Sequence, residues 1–201
     1  MSRKDTEIQL IVGLGNPGPQ YELTRHNAGA WFVERLAQRY NVTLKPDNKY
    51  HGLVAKVQTA DIESWLLIPT TFMNLSGKAV LALAQFYKIP LHNILVAHDE
   101  LDLDPGTSRL KFGGGHGGHN GLRDIIQKFS NSKEFHRLRI GIGHPGSREQ
   151  VHNWVLGKAP KSAQIEMDNA IDDALAIIQL VSSNQLEKAM NQLHQKPGSR
   201  S

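Results

Sequence analysis

The chain contains no cysteine among its 201 residues. That absence excludes a disulfide framework, a thiolate nucleophile and every zinc centre built on sulfur. Long apolar runs are missing too: the first, beginning at Ile8, spans about seven residues, against about 20 for a membrane helix. Preceded by Met1-Ser2-Arg3-Lys4-Asp5-Thr6-Glu7, this run is also too short for a signal-peptide core with its cleavage site. The expected location is therefore the cytoplasm, away from any membrane, and Asn41-Val42-Thr43 and Asn74-Leu75-Ser76 are not expected to carry glycans. No G-x-S-x-G elbow, Walker A loop, kinase signature or H-E-x-x-H is present, so the familiar nucleophiles, phosphoryl transfer and helical zinc sites find no support.

Hydrophobic residues make up 39% and charged residues 21%, enough for a sizeable core. A single domain over residues 1–195 is expected, followed by a polar, turn-rich tail at 196–201 that reads as disordered. The formal net charge of +4 favours a polyanionic partner without requiring one.

Periodicity supplies the elements. Ile8 to Val12 is a short run of β-branched character ending in glycines, the pattern of a buried strand. Asn27 to Tyr40 places Phe32, Val33, Leu36, Ala37 and Tyr40 at helical spacing opposite Glu34, Arg35, Gln38 and Arg39. Gly52–Thr59 and Ser64–Ile68 read as an antiparallel pair, and Ser76–Tyr87 as a helix that stops before Pro90. Strands are expected at Asn93–Ala97, Ser108–Phe112 and Leu138–Ile142, with a helix at Gly121–Phe129. A helical stripe from Pro160 to Val181 and a helix at Gln185–His194 make the C-terminal region helical. The order predicts an α/β layered fold with a mixed, mostly parallel twisted sheet flanked by helices.

Gly13-Leu14-Gly15-Asn16-Pro17-Gly18 matches G-x-G-x-x-G after a strand. A dinucleotide site needs a helix to open inside that loop, yet Pro17 and Pro19 delay the next helix until about Asn27. The loop is better read as presenting the Asn16 amide, donor and acceptor at once, to a carbonyl or peptide N–H. His26 falls at the mouth of the following helix, and Asp99 at the C-terminal end of a strand. A buried carboxylate there fixes one imidazole tautomer and leaves the other nitrogen as a base. His116 and His119 raise the alternative of a metal site, but they lie in a glycine run rather than on a helix face. Asn16, Asn74 and Asn120 each end a predicted loop on one side of the sheet. Asn74 also suits a helix cap near Ser76, while three neutral amides around a histidine point to a peptide-like, uncharged group.

Taken together, Val12 to Gly18, Tyr21 to Asn27, Phe72 to Gly77, His98 to Asp102, Gly113 to Gly121 and Arg137 to Pro145 resemble the bacterial-type peptidyl-tRNA hydrolase family over about residues 8 to 195. The resemblance implies a metal-free, cofactor-free monomeric esterase of translation that frees tRNA from peptidyl-tRNA, recognising the 3′ CCA end and acceptor stem. It implies His26 as general base, Asp99 as its stabiliser, and Asn16 as the group that tells blocked from free aminoacyl ends. Tyr21, Phe72, Asn74 and Asn120 would line the substrate site with Met73 beside them, and Lys111 and Arg139 would meet tRNA phosphate. Asp104 before Pro105 departs from the family pattern and leaves that loop's shape open.

Overall fold

Alternating apolar strands and amphipathic helices leave two sheet faces to be covered, and the chain covers both. The structure, a computed structural model, describes residues 7–195; the tail expected to be disordered lies outside them. Strands β1 (Leu10–Gly13), β2 (Lys45–Asp47), β3 (Gly52–Gln58), β4 (Glu63–Pro69), β5 (Ile94–Glu100), β6 (Ser108–Phe112) and β7 (His136–Gly141) form one sheet in the order β2-β3-β4-β1-β5-β7-β6. β4, β1, β5 and β7 run parallel, while β3 and β6 run against their neighbours. The sheet is mixed, as expected. β1 lies between β4 and β5 and is buried along its length, which is why it reads as a continuous apolar run rather than an alternating one.

Helices α1 (Ala28–Arg39), α2 (Ser76–Phe86), α3 (Asn120–Lys128), α4 (Val151–Val155), α5 (Lys161–Ala176), α6 (Ile178–Ser182) and α7 (Leu186–His194) flank the sheet. Phe32 and Leu36 of α1 join Leu95, Ala97, Leu138, Met167 and Ile171 in one core. Val80 and Leu83 of α2 join Leu10, Val12, Val96, Ile125 and Phe135 in the other. Each large side chain buried in these layers contributes about 1.5–3 kcal/mol. The stripe that predicted one helix through Val181 is broken at Ile177, where α5 ends and α6 begins. The loop around Asp104 closes as a turn, its carbonyl accepting the Thr107 N–H at 3.1 Å.

Two features aim this scaffold at a site. The start of α1 touches the sheet backbone directly: a Cβ on Gly29 would lie 2.1 Å from the Ala97 carbonyl oxygen, and one on Gly13 would lie 2.4 Å from that of Gly29. Only glycine permits this approach, and it seats the turn before α1 over the C-terminal ends of β1 and β5. The second feature concerns α2. Its N-cap is Leu75, with no side-chain bond, so Asn74 is not the cap that its position offered. Asp124 reaches across from α3 instead and accepts the Gly77 N–H at 2.8 Å. The helices that follow β1 and β4 depart to opposite faces, opening a crevice beyond the strand ends where open α/β sheets hold ligands.

Candidate active site

Five segments converge on that crevice, each delivered by a strand end or a helix start. The loop after β1 brings Asn16, the 3-10 turn Arg25–Asn27 brings His26, and the end of β5 brings Asp99. The turn Met73–Leu75 brings Asn74, and the start of α3 brings His119 and Asn120. With Phe72, Gly117, Gly118, Arg123, Val151 and His152 they line a pocket of about 760 Å³.

Asp99 sits at the centre of the polar floor, only 3% exposed. His26 Nδ1 lies 3.0 Å from each of its oxygens, and His119 Nε2 lies 2.8 Å from Oδ1. The tautomers follow from the remaining contacts. His119 Nδ1 accepts the Gly121 and Leu122 N–H groups at 3.1 and 3.3 Å, capping α3. A nitrogen that accepts carries no proton, so His119 holds its proton on Nε2 and donates it to Asp99. Asp99 in turn accepts the Nδ1–H of His26, which leaves His26 Nε2, the pocket-side nitrogen, with a free lone pair.

The electrostatics agree. Burial pulls the His26 imidazole down, but the negative charge of Asp99 and the hydrogen bond to it more than offset this, and its pKa ends above the ordinary 6.5. Burial alone would push the Asp99 carboxyl up. Its electrostatic interaction and hydrogen bonds with the His26 and His119 imidazoles hold it well below the usual carboxylate range, so it stays ionised. His98 lies beneath, its Nδ1–H donated to the Asp99 carbonyl at 2.9 Å. Burial, reinforced by neighbouring His119, pushes His98 down to about 3, which keeps it neutral.

Asn16 is held with equal definition. Asn27 brackets its backbone, accepting the Asn16 N–H at 2.8 Å and donating to its carbonyl at 2.9 Å. The Asn16 Oδ1 accepts the Met73 N–H at 2.7 Å, so the free end of this amide is the Nδ2 donor. The Asn120 Oδ1 accepts from Arg123 at 2.9 Å, again leaving an N–H₂ group.

Comparison with known proteins gives this arrangement a context. The family model described as peptidyl-tRNA hydrolase matches residues 10–200. The chain belongs to the peptidyl-tRNA hydrolase family. A peptidyl-tRNA hydrolase from Pseudoalteromonas translucida is 64% identical over 187 residues, covering 93% of this chain and 96% of the relative. Another from Tolumonas auensis is 61% identical, covering 93% and 95%. Among solved structures, peptidyl-tRNA hydrolase from Acinetobacter baumannii superposes with a TM-score of 0.90 at 55% identity, covering 94% of this chain and 95% of that one.

Of the positions that resemblance to the peptidyl-tRNA hydrolases singled out, Asn16, His26, Phe72, Met73, Asn74, Asp99 and Asn120 line the pocket. Tyr21 packs edge-on against Phe72 with centroids 6.4 Å apart, outside the lining set. Phe72 is 57% exposed and forms an apolar lip. Lys111 and Arg139 lie apart, on β6 and β7. Lys111 is exposed, whereas Arg139 Nε donates to Glu100 at 2.7 Å, so its charge is already paired.

Sequence reasoning placed His119 only in a metal cluster with His116. The structure separates them: His116 Nδ1 accepts the Gly118 N–H at 2.9 Å, while His119 joins Asp99. Among the described residues, the one group able to offer three metal ligands is His26, Asp99 and His119, whose ligand atoms lie within 4.8 Å of one another. Those atoms already pair as N–H donors and carboxylate acceptor, so a cation there would have to displace both protons. Asn27 was also missed. The signal for His119 was a side-chain acceptor directly before a helix; nothing local marked Asn27.

Proposed function

We propose that the chain hydrolyses the ester joining a peptide, or an N-blocked amino acid, to the 3′ end of tRNA, with His26 as general base and Asp99 as its orienting anion. The observation that carries this is the paired tautomer lock, which commits His26 Nδ1–H to Asp99 and leaves Nε2 as a base facing an amide-lined pocket. His26 Nε2 takes a proton from water as the water oxygen bonds to the ester carbonyl carbon. The carbonyl oxygen gathers negative charge, and amide N–H groups of the asparagines stabilise it. The bond from carbon to the ribose oxygen then breaks, and the imidazolium returns its proton to that oxygen. The products are the peptide acid and tRNA with a free hydroxyl. General base catalysis of this kind supplies about 10²- to 10⁴-fold, sufficient for an ester without a covalent intermediate.

Asn16 Nδ2 explains why the blocked end is preferred. An N–H donor pairs with the carbonyl of a peptide or blocking group, whereas a free ammonium has only donors to offer. Tyr21 and Phe72 supply apolar surface for the terminal nucleotide or peptide, and Met73 and Asn74 a flexible and a polar wall. Lys111 is the direct phosphate contact. Arg139 reaches phosphate only by releasing Glu100. The same reading takes the protein to act as a monomer, within a single domain over residues 1–195, in the cytoplasm, where peptidyl-tRNA is made. No described helix is long and apolar enough to cross a membrane.

The experiment is release of N-acetylaminoacyl groups from tRNA against release of unblocked ones. The blocked ester should be cleaved and the unblocked one spared, with His26→Ala losing most of the rate. Equal cleavage of both esters would defeat the role given to Asn16, and full turnover in His26→Ala would remove His26 as the base.

A further inference from the structure

The loop Gly113–Gly118 forms one wall of the pocket, yet it has almost no packing of its own. Gly113, Gly114, Gly117 and Gly118 adopt φ of 71, 95, 57 and 82°, a region that favours glycine. A Cβ placed on Gly115, Gly117 or Gly118 would meet nothing within 4 Å. Apart from the Lys111 side chain, which lies against Gly114, the segment has little packing to define it. What holds it is hydrogen bonding: Gly113 N–H to the Phe135 carbonyl at 3.0 Å, and a turn in which His119 N–H donates to the His116 carbonyl at 2.9 Å. Between these two points the Arg137 guanidinium donates one Nη to the Gly114 carbonyl and the other to the Gly115 carbonyl. Among the described residues no other side chain from outside the loop hydrogen-bonds to it.

Arg137 is suited to anchoring rather than to meeting a ligand. It projects from β7 opposite Val96 and Lys111, is 3% exposed, and lies over the Phe135 ring at 4.4 Å. Its planar fork is spent on two adjacent carbonyls, a match that lysine, a point charge, cannot reproduce. Neighbouring Arg139, by contrast, pairs with Glu100, so the two arginines of this strand do different work.

We propose that Arg137 is a positioning residue for the reaction: its fork fixes the glycine loop, and through the loop holds His119 where it can lock Asp99 and thereby His26. The chain of contacts is short. Arg137 sets Gly114 and Gly115, the turn at His116 follows, and His119 both caps α3 and bonds Asp99. This rests on the proposed ester hydrolysis, but its test does not depend on that reading alone.

In the unaltered chain, the Nη protons of Arg137 should give separate, slowly exchanging NMR resonances, because two carbonyls restrain the group. A single averaged, freely rotating signal would overturn the proposal whatever the substrate proves to be. On N-acetylaminoacyl-tRNA, Arg137→Ala and Arg137→Lys should both lose kcat by about 10- to 100-fold, the scale of a small misplacement of reacting groups. Affinity for uncharged tRNA and its salt dependence should stay unchanged. Guanidinium ion, far below its denaturing range, should restore part of the Arg137→Ala rate where sodium chloride does not. A wild-type rate in Arg137→Lys would show that charge alone suffices. A flattened salt slope would make Arg137 a phosphate contact instead, and failure of guanidinium to rescue a folded Arg137→Ala would also sink the proposal. If the unaltered chain failed to cleave blocked esters while the restrained resonances were present, the reaction would be wrong and the anchor would stand.

Discussion

Replacing Asp99 by asparagine keeps the size of the side chain and changes which way His26 points its proton. In the wild type the carboxylate accepts from His119 Nε2 at 2.8 Å and from His26 Nδ1 at 3.0 Å. An amide has one accepting oxygen and one donating nitrogen. His119 cannot yield, because its Nδ1 is committed to the Gly121 and Leu122 N–H groups. The amide oxygen therefore turns to His119 and the amide N–H₂ to His26 Nδ1. That forces the His26 proton onto Nε2, and the base is lost. An inverted tautomer costs on the order of 10²- to 10⁴-fold, so single-turnover release from N-acetylaminoacyl-tRNA should slow by that factor. Losing the Asp99 charge should also move the surviving acid limb to lower pH. A sharper consequence concerns Asp99→Asn/His119→Ala. With no competing imidazole the amide is free to offer its oxygen to His26, so the double variant should be faster than Asp99→Asn alone. If the double variant is slower, or if Asp99→Asn keeps a rate near wild type, the tautomer lock does not operate.

The base works only when neutral, and the pKa of His26 is raised above 6.5, so the rate should fall as pH drops through a value above 6.5; a limb centred below it in a pH–rate profile would contradict the influence of Asp99. Asn27→Ala removes both bonds bracketing Asn16 and should raise KM for blocked substrates roughly two- to tenfold, equivalent to about 0.5–1.5 kcal/mol, while steady-state kcat changes less. Asp124→Ala leaves the Gly77 N–H at the start of α2 without its acceptor and should cost about 1–3 kcal/mol in chemical denaturation, with catalysis on the folded fraction preserved. Lys111→Ala should weaken tRNA binding with a shallower salt dependence, since one phosphate contact is lost; an unchanged slope would take Lys111 out of the interface.

Much of this molecule is set by local pattern. The apolar run at β1, the two short strands β3 and β4 flanking Ala60-Asp61-Ile62 and the stripe of α1 each concern residues close in sequence, so local pattern alone located them. The boundaries that moved did so where tertiary contact overrode pattern: β5 continues to Glu100 because His98 and Asp99 pair with Arg139 and Ile140 of β7, and the long C-terminal stripe breaks at Ile177. Short β2, which includes Pro46, and short α4 carry too few periods to be read.

The sequence by itself determined the layered α/β class, the absence of sulfur chemistry and the presence of His26, Asp99 and three asparagines at loop ends. The tertiary structure alone decided how these groups share protons. His119 joins Asp99 across 20 positions, Asn27 holds Asn16 across 11, and Asp124 caps α2 across 47. Hydrogen-bond partners that far apart leave no periodic trace, because what pairs them is the crossing of strand ends and helix starts rather than spacing along the chain.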